Sequence, residues 1–178
     1  SAVRDMFATE KNFLFMDISG EATDISLAEN DSIASSVSFP RGKNMFIREI
    51  SLRLHTPHEE AVTLFRMFLR HELATEKQEE IQRIIASTSS VLAERLKKAF
   101  EALGRGAMIH PTIFFTADVE TKEFFTELLS RTADEFLSVK RSNVQYLDHE
   151  ALADTVSYES GVARDPFLAL ATLFFQKQ

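Results

Sequence analysis

The chain has no cysteine in its 178 residues. Disulfides, thiolate metal sites and a cysteine nucleophile are therefore excluded, which is compatible with a cytoplasmic setting. Glycine is scarce, with only Gly20, Gly42, Gly104, Gly106 and Gly161. Positive charge is sparse too: the net charge is -7, and no basic run exceeds Arg95-Leu96-Lys97-Lys98. Nucleic acid, which needs a basic footprint, is not an expected partner. No window approaches the ~18 uninterrupted apolar residues of a membrane span, so direct membrane insertion is not expected. The opening stretch carries Arg4, Asp5, Glu10 and Lys11 and has no long apolar core, unlike a signal peptide. Ser1-Ala2 in place of an initiator methionine reads as a fragment or a processed start. Two histidines, His55 and His58, lie three apart, but Pro57 between them marks a helix entrance and no H-E-x-x-H spacing is present. No G-x-S-x-G elbow occurs.

What remains is an ordinary globular composition, 44% hydrophobic and 26% charged. A chain of this length forms one domain and buries roughly 70% of the surface it exposes when unfolded. Residues 12 to 39 read as three strands with short turns: Phe13 to Asp17, Thr23 to Ala28 and Ser32 to Phe39, with Asn30-Asp31 as a turn and Pro40-Arg41-Gly42 as the stop. Helical spacing follows. Phe46, Ile47, Ile50 and Leu54 share one face. Thr56-Pro57-His58-Glu59 predicts a helix start with Thr56 as N-cap, leading into Ala61, Leu64, Phe65, Phe68 and Leu69. A long helix is expected from about Lys77 to Leu103. Its stripe is Ile81, Ile84, Ile85, Thr88, Leu92, Leu96, Ala99 and Leu103, and Gly104 and Gly106 end it in the usual C-terminal way. Thr112 to Phe115 reads as a buried strand, Thr121 to Phe136 as a helix and Val144 to Leu147 as a last short strand. Asp165-Pro166 opens a final apolar helix, Phe167 to Phe175. The order βββ, helices, β, α, β, α predicts an α/β fold with antiparallel and parallel pairings in one sheet, the layout of a ribonuclease-H-like half-domain.

The most distinctive motif is Asp17-Ile18-Ser19-Gly20-Glu21-Ala22-Thr23-Asp24, a polar turn between two strand-like runs. Its plain explanation is a capped hairpin with no ligand. Two further segments stand in order behind it: Ser38-Phe39-Pro40-Arg41-Gly42-Lys43-Asn44 with Ile47-Arg48-Glu49-Ile50 and then Thr56-Pro57-His58-Glu59-Glu60-Ala61, and, at the end, Asp165-Pro166-Phe167 to Leu173. Together they resemble the C-terminal lobe of actin-like ATPases of the FtsA and PilM kind, over roughly residues 12 to 176. The family pattern at the turn is close to D-[IL]-G-G-G-T-T-D.

That resemblance implies a single ribonuclease-H-like lobe over 12-178, with a mixed five-stranded sheet and a helical insert at about 43-103. Residues 1-11 would be a linker or disordered. It implies a nucleotide site completed by an absent N-terminal lobe. Asp17 would hold magnesium through water, and Gly20, Ala22 and Thr23 would face the phosphates of ATP. Ser19 and Glu21 stand where the family has glycine. A carboxylate ~4 Å from a phosphate charge opposes it by about 4 kcal/mol at an effective dielectric near 20, unless Glu21 points away or helps bind the metal. Gly42 and Lys43 occupy the handover step, with Lys43 in a glycine position. Thr116, Ala117 and Asp118 occupy the adenosine turn, which has lost its glycines; Asp118 is more simply a helix-starting residue. The implied role is a degenerate scaffold of a cell-division or type IV pilus type assembly, working through protein partners and self-association at the inner face of the membrane. The alternative is a functional ATP-binding ATPase.

Overall fold

The computed structural model describes residues 12–30, 32–104, 109–137 and 141–148. Five strands form one sheet in the order β3-β2-β1-β4-β5, with β1 Asn12–Ile18, β2 Thr23–Glu29, β3 Ser32–Phe39, β4 Thr112–Thr116 and β5 Asn143–Tyr146. The first three are an antiparallel meander; β4 runs parallel to β1, and β5 parallel to β4. A parallel pair needs a long crossover. Helices α1 Asn44–Leu54, α2 His58–Leu69 and α3 Thr75–Leu103 supply it between β3 and β4. A 3-10 turn, Val119–Thr121, leads into α4, Lys122–Leu137, which returns the chain to β5. This is the mixed α/β architecture that the element order predicts.

Burial follows the period of two. Leu14, Met16, Ile18, Ile25, Leu27, Ile113 and Phe115 join the helices in one core cluster, while alternation puts Phe13, Phe15 and Phe114 on the opposite face of the sheet, buried as well. Phe13 and Phe114 meet edge to face at 5.1 Å. On the helical face Phe46 stacks on Phe65 at 5.8 Å and meets Phe124 edge-on at 5.0 Å, so α1, α2 and α4 share one aromatic cluster. The predicted stripe of α3 is buried along its whole length.

The helix boundaries depart from the reading of local sequence. Thr56 is not an N-cap: α2 is entered through Pro57, without a side-chain cap. The Thr56 backbone is instead tied to Ser51 at the end of α1: its N–H donates to the Ser51 carbonyl at 3.1 Å, and its own carbonyl accepts the Ser51 hydroxyl at 2.6 Å. The long helix starts at Thr75, a little earlier than Lys77. Gly104 ends it in the right-handed region at φ -74, so it does not make the left-handed close expected of it. Left-handed positions fall on Asn30, His55 and His71. Gly106, Asp31, the 1-11 segment and the Asp165–Phe175 helix lie outside the described residues.

Candidate functional site

The C-terminal ends of the parallel strands β1 and β4 lie side by side, with Asp17 opposite Thr116. The Thr116 hydroxyl donates to Asp17 Oδ1 at 2.7 Å. Beyond Asp17 the hairpin turn is closed from within. Ser19 N–H donates to the Ala22 carbonyl at 3.0 Å, and Ala22 N–H donates to Ser19 Oγ at 3.1 Å. Ser19 therefore holds the two-residue tip Gly20-Glu21.

The turn is docked on the start of α1. Lys43 N–H donates to the Ser19 carbonyl at 2.9 Å and Asn44 N–H to the Gly20 carbonyl at 2.8 Å. Two of the N–H groups that a helix start leaves without partners are satisfied this way, which explains why α1 has no side-chain cap. The approach is so close that a Cβ on Gly42 would sit 2.3 Å from the Ser19 carbonyl oxygen. The Thr23 hydroxyl donates to the Arg41 carbonyl at 2.7 Å, stitching the same loop to β2. The Ser19, Gly20 and Ala22 carbonyls, the Ala22 amide and the Thr23 hydroxyl are all used internally. Among the described residues nothing accepts from the Gly20 and Glu21 N–H groups, which are left at the tip.

Glu21 turns aside. Its carboxylate accepts from Asn44 Nδ2 at 2.8 Å and from Arg48 Nη1 at 2.9 and 2.8 Å. These bonds, Asn44 first and Arg48 second, hold its pKa below the ordinary carboxylate value of 4.5. Asn44 and Arg48 are one helical turn apart on α1 and reach back to the tip together. Local sequence does not single them out, although the i, i+4 spacing immediately after Gly42 is a usable signal.

The 116–118 stretch closes the other wall. Asp118 does precede the 3-10 turn, with Thr121 N–H donating to its carbonyl at 2.8 Å, but its side chain makes no cap. Its carboxylate pairs with Lys43. Ala117 is buried, and its carbonyl accepts the Tyr146 hydroxyl at 3.1 Å. Burial first, then the charges of Asp148 and Asp118, push the Tyr146 pKa up. So Asp17, the 19–23 turn, Gly42, Lys43 and the 116–118 stretch all converge at one end of the sheet. The His55 and His58 pair lies elsewhere, at the α1–α2 junction; among the described residues no group of three or more potential metal ligands forms.

Comparison with solved structures places this architecture. The PilM protein of a PilM-PilN type IV pilus biogenesis complex superposes with a TM-score of 0.63 at 19% identity, covering 98% of this chain and 48% of that one. The ethanolamine utilization protein EutJ from Carboxydothermus hydrogenoformans gives 0.57 at 21%, covering 85% and 49%. MreB 5 of Spiroplasma citri, bound to AMPPNP, gives 0.53 at 12%, covering 94% and 53%. The chain carries the actin-like fold. It spans about half the length of these actin-like structures, one lobe's worth. No family model and no curated protein matches the sequence. Among the described residues of this actin-like lobe, no helix is long and apolar enough to cross a membrane.

Proposed function

We propose that the chain is one lobe of a two-lobed actin-like assembly protein. It holds the phosphates of a nucleotide at the Asp17–Thr23 turn and recruits protein partners in a membrane-associated assembly of the cell-division or type IV pilus kind. The observation that carries the phosphate half is the direction of Glu21. Its carboxylate is tied to Asn44 and Arg48, which leaves the Gly20 and Glu21 amides as donors for an anion. ATP with magnesium fits this half-site: Asp17 would hold the metal through water, and Lys43 would reach the phosphates once released from Asp118. The adenosine wall fits less well, because Ala117, which stands where the resemblance would have an open glycine turn, is buried and its carbonyl is taken by the Tyr146 hydroxyl. Bound magnesium would supply charge neutralisation at the phosphates. The similarity to PilM, a protein found in complex with PilN, supports an assembly role, and the cytoplasmic face of a membrane is the setting this reading expects.

Calorimetry of magnesium–ATP binding to the intact two-lobed protein tests this. Micromolar binding is expected for the wild type, little altered by Glu21→Gly. Arg48→Ala frees the carboxylate beside the site and weakens binding by about tenfold, the effect of a like charge at short range that is largely screened by solvent. The Arg48→Ala/Glu21→Gly double variant recovers it. Silence in the wild type and in Glu21→Gly alike would sink the phosphate half and leave a scaffold that has the shape alone.

A further inference from the structure

Three cations flank the Ser19–Thr23 turn, and each is tied to the protein itself. Arg48 Nη1 donates to both oxygens of Glu21, Arg41 Nη1 donates to the Pro40 carbonyl at 2.8 Å, and Lys43 pairs with Asp118. Two of the three are thus neutralised by carboxylates of the chain, in the place of a ligand anion. The two carboxylates are not held alike. Glu21 accepts three bonds from two side chains of one helix, Asn44 and Arg48. Asp118 makes one ion pair among the described residues, and both partners reach solvent, with the Lys43 and Asp118 side chains 29% and 59% exposed. An exposed single-point pair is the weaker hold. An incoming anion therefore displaces Asp118 and leaves Glu21 where it is.

Both ends of this pair sit on fixed backbone. Lys43 N–H is docked on the Ser19 carbonyl, and α1 starts directly behind it. The Asp118 carbonyl accepts the N–H and the hydroxyl of Thr121, each at 2.8 Å. Two residues on, Glu120 is gripped by Arg66 and Arg70 of α2 at 3.1 and 2.8 Å. Opening the pair moves two side chains and leaves the backbone in place. Lysine suits such a switch, since it is a point charge on a flexible stem.

We propose that the Lys43–Asp118 pair is a latch that regulates the phosphate half-site. Asp118 stands in for the ligand anion, and phosphates bind by taking Lys43 from it. The proposal rests on the phosphate reading above and adds the contact that controls it. A ligand that needs Lys43 meets only the fraction of molecules in which the pair is open, and its apparent affinity is lowered by that fraction. For an exposed ion pair the reduction is about two- to fivefold, so the latch restrains binding without blocking it. By reciprocity, bound phosphates loosen the pair to the same degree.

Calorimetry of magnesium–ATP binding to the intact two-lobed protein tests this, over the cycle of Asp118→Asn, Lys43→Met and the two together. Neither change removes a contact that shapes the backbone, since the Asp118 side chain makes no cap and Lys43 docks through its N–H; circular dichroism checks that both stay native. Asp118→Asn is expected to tighten binding about two- to fivefold, and Lys43→Met to weaken it about tenfold. The double variant decides the mechanism. With no lysine left to release, Asp118→Asn brings no gain over Lys43→Met alone. An equal gain in both backgrounds overturns the proposal, because Asp118 then acts only as a like charge near the phosphates. Unchanged affinity in Asp118→Asn overturns it as well. In both cases the wild type still binds and the phosphate reading stands. Silence of the wild type and of every variant sinks that reading, and the latch with it.

Discussion

Gly42 is held to glycine by space. A Cβ there would meet backbone of the Ser19–Thr23 turn, the Ser19 carbonyl oxygen at 2.3 Å and Gly20 at 2.9 Å, and backbone cannot swing aside as a side chain can. Gly42→Ala is expected to lower stability by about 1–3 kcal/mol, the usual cost of overpacking, read as a lower urea midpoint. Gly20→Ala should cost less, because its nearest neighbour is the movable Asn44 amide at 2.9 Å. Equal midpoints for Gly42→Ala and wild type would show that the turn does not dock on α1 as described. Glu21 makes a second prediction. Its folded pKa lies below 4.5, so what its bonds to Asn44 and Arg48 contribute is present above that value and lost as pH falls through the lowered one. An NMR titration of its carboxyl should give a midpoint below 4.5, and Arg48→Ala should move it upward. A wild-type midpoint at 4.5 would mean that the carboxylate is not held by Asn44 and Arg48.

The helices were legible in sequence wherever their signal was periodic. Ile81 through Leu103 announce α3 because one face of a 29-residue helix has to be apolar to pack. Their ends were not legible, because tertiary contacts set them. The amides at the start of α1 go to carbonyls of a turn more than twenty residues earlier, and Thr56 is claimed by Ser51. The site has the same split. Its turn and handover loop were readable as ordered motifs, whereas the partners of Glu21 lie 23 and 27 residues away on α1. Chain reversals took unexpected residues as well: α1 ends at His55 with φ 51. A side chain in the left-handed region costs roughly 1 kcal/mol relative to glycine. His55→Gly is therefore expected to raise the thermal midpoint by a few degrees. A fall would mean that the imidazole makes contacts worth more than the strain.

Strand order decides how firmly the Ser19–Thr23 turn is anchored. β1 is paired on both sides, to β2 over seven residues and to β4 over four, and Asp17 and Thr116 close that central pair. The turn thus grows out of the most internally bonded part of the sheet, so its amides are held preset. The rim differs. Among the described residues β3 is bonded on one side only, its register shifts opposite Leu27 and Ala28, and Ile33 remains 39% exposed. It also lacks the charges and proline that usually blunt such an edge. Amide exchange should follow this gradient. Leu14, Met16, Ile113 and Phe115 are expected to exchange only through global unfolding, and the outward amides of β3 within the first minutes. Protection of β3 equal to that of β1 would mean that a partner strand covers the edge in solution, and the sheet would then be larger than five strands.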